Sequence, residues 1–379
     1  MYHFPFFRGS STMRCNRIDV TLACCHRPLT SLFLCGLALH WLLAINSQAQ
    51  GTAPITSSGL QTQVSAPSTL PNGTIQYSIT GGTRPGSGPN LFHSFGEFGI
   101  PANNIANFLN ETALPTSNIL GRVTGGNPSN IFGTIQTTGF GGANLFLMNP
   151  AGILFGPNAS LNVGGSASFT TADYLRLSDG TRFNAIPGPQ DASISSAPIA
   201  AFGFLGTNQA AITVQGGHLA VSEEQAISLV GGDITIEGSL LAPNNVQPGG
   251  IFAAGGQINL VSVASPGEIL SSTLQFAPNV NAESFTQMGN ISITGGSILD
   301  VSGDAAGTVK IRGGQLVLHN ATLSVDTVNA NGAPIGIDID VTGGVRISSD
   351  TAPALTARTT GNGNAGAIQI SSASFDAIG

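Results

Sequence analysis

Charged residues are scarce in this sequence. It has 12 Lys and Arg and 19 Asp and Glu among 379 residues, a charged share of 8%, against about a quarter in an ordinary soluble domain. A surface of salt-bridged helices is therefore excluded. A disordered chain is excluded as well, because the hydrophobic share of 41% is that of a protein with a core. The 51 glycines and many Ser, Thr, Asn and Gln residues fill the remaining positions.

The first 49 residues are predicted to be a secretory signal peptide. A lead with four arginines precedes an apolar run from Leu29 to Ile45, and small residues at positions 47–49 suit cleavage between Ala49 and Gln50. Translation from Met13 would shorten the long lead. A non-cleaved membrane anchor is the alternative, but the run falls short of about 20 uninterrupted apolar residues.

All the cysteines lie within this signal: Cys15, Cys24, Cys25 and Cys35. The mature chain would then have no disulfide and no cysteine metal site. Cleavage would also remove four Arg and one Asp, which leaves eight basic and eighteen acidic residues and a net charge of −10. Nucleic acid is excluded as a partner, because Lys310 is the sole lysine and the remaining arginines are scattered.

Short β-branched runs recur along the mature chain. Runs such as Ile234-Thr235-Ile236 and Ile291-Ser292-Ile293 alternate apolar and polar residues between Gly, Asn, Pro or Asp, which predicts strands. Helix signals are nearly absent. Gly99 to Leu109 is the one helical candidate, weakened by a Pro and two Asn near its start.

Glycine pairs recur beside these runs, at 216–217, 231–232, 255–256, 295–296, 313–314 and 343–344. Their spacings of 15, 24, 40, 18 and 30 residues suggest a solenoid whose unit is about twenty residues, with variable turns. We therefore predict an all-β fold, a right-handed single-stranded parallel β-helix with an N-terminal cap. Ile, Val and Leu would stack inward, and Thr, Ser, Asn and Gln would face outward. A β-sandwich is the main competitor, but regular two-residue hairpin turns are lacking.

The most distinctive motifs of the sequence lie in three segments: NLFHSFGEFGIP from Asn90, ILGRVTGGNPSNIFGTI from Ile119, and NLFLMNPAGILFGPNASLNVGGSASFTT from Asn144. In this order they resemble the N-terminal secretion domain of two-partner-secretion exoproteins, the filamentous-haemagglutinin family. The resemblance covers roughly Gln76 to Thr171. It implies export by the Sec pathway and then recognition in the periplasm by the POTRA domains of an outer-membrane β-barrel transporter.

The resemblance also implies a recognition motif. The family's Asn-Pro-Asn-Gly-Ile motif is matched at Asn149, Pro150, Gly152 and Ile153, and Ala151 departs from it. A companion Asn-Pro-Asn-Leu motif is not found; Asn127-Pro128-Ser129 and Asn110-Glu111 do not match it. The residues themselves predict a β-turn at 149–152, since Pro fixes φ at its second position. Whether this turn is only a structural corner or a docking signal stays open.

The mature chain is predicted to have three parts. Residues 50–78 are a lead and cap that cover the open end of the solenoid. Residues 79–205 form the secretion-domain core, with an extra-helical loop between Ser166 and Phe204. Residues 206–379 form a β-helical repeat region, which we expect to be truncated or to continue in a longer protein. Phe92, Phe95 and Phe98 are spaced by three, which fits a helical stripe or packing in the core beneath the cap.

Catalysis is the weaker expectation. Candidate acids are Glu223-Glu224, Asp300 with Asp304, and Asp338 with Asp340, and the last pair would project from one face of a strand. We interpret them as solvated turn acids, because we expect no basic partner near them and no His, Lys or Tyr cluster accompanies them. The mature histidines, His93, His218 and His319, are isolated, so no metal or haem site and no cofactor is predicted.

These observations lead to a non-enzymatic function. The first hypothesis is a secreted or cell-surface adhesin of a Gram-negative outer membrane, whose polar face contacts carbohydrate or another cell surface through many weak sites. The second is a β-helical polysaccharide-modifying enzyme. The third is the stem of a larger toxin or haem-utilisation exoprotein.

Overall fold

Short strands form almost all of this fold. The computed structural model describes residues 54–242, 245–270, 284–350 and 354–378, and within these ranges it has 35 strands and two short 3-10 segments. The predicted signal peptide and its cleavage between Ala49 and Gln50 lie outside the described residues. Within the described ranges, no helix is both long and apolar enough to span a membrane.

The strands have the following bounds. The first group is β1 (Ile55–Gly59), β2 (Thr62–Val64), β3 (Ser68–Thr69), β4 (Ile75–Gly81), β5 (Asn90–Phe98), β6 (Asn104–Leu109), β7 (Asn118–Val123), β8 (Ser129–Ile131), β9 (Thr134–Thr138), β10 (Asn144–Met148), β11 (Ile153–Phe155), β12 (Ser160–Asn162) and β13 (Ala167–Thr170). The second is β14 (Tyr174–Leu177), β15 (Arg182–Asn184), β16 (Ile199–Phe204), β17 (Ile212–Gln215), β18 (His218–Ala220), β19 (Ala226–Gly231), β20 (Ile234–Glu237), β21 (Ser239–Ala242), β22 (Asn245–Gln247), β23 (Gly250–Phe252), β24 (Gln257–Ser262) and β25 (Gly267–Leu270). The third is β26 (Ile291–Thr294), β27 (Ile298–Asp300), β28 (Thr308–Gly313), β29 (Leu316–His319), β30 (Thr322–Ser324), β31 (Ile335–Val341), β32 (Gly344–Ser348), β33 (Leu355–Thr356), β34 (Ala367–Ser371) and β35 (Ser374–Ile378). The 3-10 segments are Pro85–Ser87 and Pro189–Ser193.

These strands stack into three long faces. Face 1 is a ten-stranded sheet in the order β1-β5-β7-β10-β13-β19-β24-β28-β31-β34, and face 2 is an eight-stranded sheet in the order β35-β32-β29-β26-β20-β17-β11-β8. Face 3 is shared by the sheets β12-β9-β6-β4-β2 and β18-β23-β27-β30-β33, which meet where β18 follows β12. Beyond the first strands, neighbours within each face are parallel, and the chain visits faces 1, 2 and 3 in turn. The predicted parallel β-helix is confirmed.

The inner core follows from this register. One inward column of face 1 runs through Ile119, Leu145, Ala167, Ile227, Ile258, Val309 and Ile337, each paired with the next. All of these side chains are buried, and full burial of an Ile or Leu side chain contributes about 1.5–3 kcal/mol. Strand alternation therefore generates the core, as the apolar-polar runs predicted.

The length of a coil differs from the predicted unit of twenty residues. Leu145 pairs with Ala167, 22 residues later, and Ile337 pairs with Ile368, 31 residues later. The glycine pairs misled the estimate because they occupy different corners of the coil. Gly231 ends a strand of face 1 and Gly232 follows it, whereas Gly216-Gly217 follows a strand of face 2.

The N-terminal strands close one end of the solenoid. β1 pairs with β5 in antiparallel orientation, and β2 and β3 do the same with β4. Ile55 and Thr62 are buried by these pairings. The first coil therefore does not expose an unpaired edge.

An excursion leaves the solenoid between Thr171 and Leu205. β14, β15 and β16 form an antiparallel sheet with β25, whose strand comes more than sixty residues later. The extra-helical segment was predicted to begin at Ser166, but residues 167–170 are β13, a strand of face 1. The excursion packs on the outward side of face 1, where Phe92, Leu120, Phe146 and Met148 build a second core with its apolar residues.

The structure differs from the sequence interpretation at two places near the N-terminal end of the solenoid. The helical candidate Gly99 to Leu109 contains β6, because Ala106 and Phe108 enter the inner core while β6 pairs with β4 and β9. Phe92, Phe95 and Phe98 are core residues, as expected, but they lie on one strand and not on a helix. Phe92 faces the second core and Phe95 the inner one, and a register irregularity returns Phe98 to the inner core.

The residues from Thr52 to Gly379 cluster as a single unit. The division of the mature chain after residues 78 and 205 stays a prediction.

Candidate functional site

The motif predicted from the resemblance forms a corner between face 1 and face 2. Asn149 to Gly152 joins β10 to β11, and the main-chain nitrogen of Gly152 donates to the oxygen of Asn149 at 3.0 Å. The nitrogen of Ala151 donates to Oδ1 of Asn149 at 2.9 Å. The predicted β-turn is therefore present, and it is reinforced by the asparagine side chain.

The side chain of Asn149 also joins two coils. Its Nδ2 donates to the main-chain oxygen of Asn127 at 3.0 Å and to Oγ of Ser129 at 2.9 Å. Its main-chain nitrogen donates to the oxygen of Thr170 at 2.9 Å. Asn149 is 1% exposed, so its polar atoms are committed to the interior and position the turn.

The other motif residues divide between interior and surface. Gly152 has a φ of +115°, and a Cβ there would lie 3.3 Å from the oxygen of Ala211, so the turn requires glycine. Ile153 is 2% exposed and pairs with Ser129 and Ile212. Pro150 is only half-buried, and it therefore offers surface that a partner can contact.

A second Asn-Pro corner lies one coil earlier. Asn127 and Pro128 are exposed, and Nδ2 of Asn127 donates to Oε1 of Glu97 at 2.8 Å. Beside them is a cleft of about 330 Å³ whose walls include Pro54, Pro101 and Phe132. Sequence reasoning set this corner aside because it does not match the companion motif. Its repetition 22 residues before Asn149 is the signal that indicates stacked corners.

The excursion is fixed to the solenoid by Arg122. Its guanidinium forms a bidentate ion pair with Asp191, with one contact at 2.7 Å, and donates to the oxygen of Asn184 and Oγ of Ser94, each at 2.9 Å. The Arg122 side chain is 1% exposed and that of Asp191 21%. Bidentate pairing satisfies a charge that burial would otherwise penalise.

A second cluster joins the excursion to β25. Arg176 donates to both carboxylate oxygens of Glu268, and the hydroxyl of Tyr174 donates to the same carboxylate at 2.8 Å. The guanidinium carbon of Arg182 lies 4.0 Å from the Tyr174 ring centroid. The hydrogen bond from Arg176 lowers the pKa of Glu268. Burial, and then the bond to Glu268, raise the pKa of Tyr174 to about 12. The cluster therefore remains an ionised Glu with a neutral Tyr at neutral pH.

The candidate catalytic acids do not converge. Asp338 and Asp340 face outward from β31, as predicted, but the expectation that no basic partner lies near them is wrong. Lys310 and Arg312 lie opposite them on β28, and Nη2 of Arg312 donates to Asp338 at 2.6 Å. The other acids are apart from this pair. Asp300 is the last residue of β27 and accepts from the nitrogen of Ser302 at 2.8 Å. Asp304 lies in a bend and accepts from Asn329 at 3.0 Å, and Glu224 lies in a turn with a positive φ.

The three mature histidines are likewise apart. His93 is buried, and burial, helped by the charge of Arg84, lowers its pKa to about 3. His218 stacks on Phe252 at 4.4 Å, and Nδ1 of His319 lies 2.9 Å from Oγ of Ser348. Among the described residues, no three His, Cys, Asp or Glu side chains come together to hold a metal ion.

Comparisons with known proteins place this geometry in context. A family model described as "TPS secretion domain" matches residues 53–311. A crystal structure of the filamentous hemagglutinin secretion domain is 17% identical, with a TM-score of 0.38, over 86% of this chain and 100% of that one. The HMW1 secretion domain from Haemophilus influenzae is 18% identical, with a TM-score of 0.35, over 85% of this chain and 95% of that one. No curated protein sequence matches the chain.

Proposed function

The chain belongs to the TPS secretion domain family, that of two-partner-secretion exoproteins, and we propose that it is exported through a cognate outer-membrane transporter and then acts as an adhesin. The family match over residues 53–311 carries this proposal. The transporter is the partner, through its POTRA domains, and the protein reaches it in the periplasm after Sec export. Its final place is the cell surface or the medium.

We further propose that the transporter reads the two stacked Asn-Pro corners. Pro128 is exposed and Pro150 half-buried, and the cleft beside Pro128 has apolar walls that a partner strand or loop can fill. Asn149, Gly152 and Ile153 act as positioning residues, because their side chains or backbone shape the corner from within. Within the motif, Pro150 would therefore contact the transporter, and the other residues would hold the corner in shape.

Secretion from a Gram-negative host tests the pathway. The full chain should appear in the medium only when a two-partner-secretion transporter that recognises it is co-expressed, and its first residue should be Gln50. Equal export without the transporter would remove the pathway assignment. An intact N-terminus would remove the cleavage site alone.

A double proline variant tests whether the transporter recognises the two Asn-Pro corners. Pro128→Ala with Pro150→Ala should slow the appearance of protein in the medium while the purified variant keeps its far-ultraviolet circular dichroism. Pro187→Ala, at an exposed position of the excursion, is the matched control and should secrete normally. Normal secretion of the double variant would show that the transporter reads another surface.

A further inference from the structure

The outward side of face 3 has no charged side chain near the N-terminal end. The strands β4, β6, β9 and β12 contain no Asp, Glu, Lys or Arg. The 50 residues between Arg122 and Asp173 also contain none. Ordinary protein surfaces are rich in such residues, so this face cannot bind a partner through ion pairs.

Amide and hydroxyl groups form a connected network on this face. Nδ2 of Asn107 donates to Oε1 of Gln76 at 3.3 Å, and Oδ1 of Asn107 accepts from Thr138 at 2.9 Å. Gln136 donates to Thr138 at 3.0 Å and accepts from Asn162 at 3.2 Å. Each amide has two donor hydrogens and two acceptor lone pairs, so these bonds use only part of its capacity. Asn107 is buried and orients its neighbours, and the free capacity that a ligand can reach lies on Gln76, Gln136 and Asn162.

A cleft of about 360 Å³ opens where β6 and β9 begin. Its polar lining consists of Thr74, Asn103, Asn104, Thr134 and Asn158. Ile105, half-buried on β6, supplies an apolar wall. The volume lies at the small end of ligand sites, which span about 300–1,000 Å³.

We propose that this cleft and the adjoining network bind a segment of an uncharged polysaccharide. Neighbouring sugar hydroxyls both donate and accept, and an asparagine side chain offers both functions in one plane. The apolar wall suits the C–H face of a sugar ring. An acidic polysaccharide is disfavoured, because the lining has no cation and the mature chain has an excess of acidic residues. A protein partner would find little of the aromatic and Arg surface that anchors protein interfaces.

The inference rests on the proposed adhesive function and names its ligand class, but it uses residues apart from the Asn149 corner. Binding of the secreted full chain to dextran, laminarin and galactomannan, measured by isothermal titration calorimetry, tests it. Alginate is the anionic comparator. We expect at least one neutral polysaccharide to bind and alginate not to.

The variants locate the site. Asn103 has a φ of +61°, so Asn103→Gly removes the amide without backbone strain, and Asn158→Ala removes a second amide from an exposed turn. The double variant should lose about tenfold or more in affinity, the effect of one or two hydrogen bonds. Thr235→Val on face 2 changes a half-buried outward Thr away from the cleft and should bind as the unaltered chain does.

Failure of all three neutral polysaccharides to bind, equal binding of alginate, or unchanged affinity of the double variant would each overturn the inference. Secretion of the same variants separates it from the proposed export. If secretion requires the transporter and no polysaccharide binds, the ligand class alone is wrong. If polysaccharide binds and secretion ignores the transporter, the export pathway alone is wrong.

Discussion

The side-chain nitrogen of Asn149 lies 3.0 Å from the main-chain oxygen of Asn127, on the coil before it. This bond holds two Asn-Pro corners in register at the edge between faces 1 and 2. Because Asn149 is almost fully buried, water cannot replace the bond without opening the corner. The arrangement makes the motif residue a support for its own turn and for the neighbouring one.

Asn149→Ala should therefore destabilise the protein by about 1–3 kcal/mol, since it leaves the Asn127 oxygen and the Ala151 nitrogen without this partner. Urea unfolding followed by circular dichroism measures the change. Asn130→Ala removes an exposed asparagine from β8 and should change stability by less than about 0.5 kcal/mol. Equal effects of the two variants would contradict the supporting role of Asn149.

Asp191→Asn should release the excursion. It removes the negative charge that pairs with the buried Arg122 guanidinium, and an uncompensated buried charge costs about 3–5 kcal/mol. Limited proteolysis should cut between residues 172 and 204 faster than in the unaltered protein, and urea unfolding should begin earlier.

The control for this prediction is an exposed pair. Arg346 and Asp376 lie 3.8 Å apart with side chains 62% and 60% exposed. Asp376→Asn should change stability by no more than about 1 kcal/mol. A result in which both substitutions have the same small effect would show that the Arg122 pair does not hold the excursion.

The sequence predicts the solenoid well because its strands obey a local rule. In Ile234-Thr235-Ile236 and Ile291-Ser292-Ile293 the middle residue faces outward and its neighbours face the core. The rule fails where both sides of a strand are buried. In β10, Leu145 and Leu147 face the inner core while Phe146 and Met148 face the second core, so alternation disappears.

Long-range pairing is the other limit. β16 pairs with β25 through Phe202 and Ile269, and nothing in either strand's local pattern indicates the partner. The candidate site likewise contains one contact that the local sequence pattern does not reveal. The turn at Asn149 is visible in the sequence from its Asn-Pro-x-Gly pattern, whereas the contact with Asn127 depends on the length of the coil, which the glycine pairs did not reveal.

The stability of the protein should fall below pH 6.5 because of His93. Burial lowers its pKa from 6.5 to about 3, so between these values the unfolded chain binds a proton that the folded chain does not. The contribution of neutral His93 to the free energy of unfolding is complete above pH 6.5 and is lost as the pH falls towards 3. The loss is about 1.4 kcal/mol per pH unit, or roughly 2 kcal/mol at pH 5.

Urea midpoints at pH 7 and pH 5 measure this loss. His93→Gln keeps a hydrogen-bonding side chain beside Thr62, which lies 3.3 Å from Nδ1 of His93, and does not titrate. The difference in free energy between the two pH values should be about 2 kcal/mol smaller in the variant. The carboxylates and the other histidines contribute equally to both proteins, so an unchanged difference would show that folding does not lower the pKa of His93.

Gly152→Ala should separate the two readings of the motif, structural corner and docking signal. The φ of +115° is unfavourable for any residue with a Cβ, and the new Cβ would press on the Ala211 oxygen at 3.3 Å, so we expect a loss of about 1–3 kcal/mol. Gly142→Ala is the matched control, since a Cβ there meets nothing within 4 Å, and it should be neutral or slightly stabilising. Urea unfolding gives the stability of each variant, and secretion with the transporter gives its export.

If Gly152 acts by shaping the corner, secretion should follow the shape of the corner and not the overall stability. A second change that restores stability, such as a stabilising Gly→Ala elsewhere, should then leave secretion impaired for as long as the corner is distorted. Hydrogen exchange of the Ile153 amide reports that distortion. Normal secretion by a variant whose corner exchanges rapidly would show that the transporter does not read this turn.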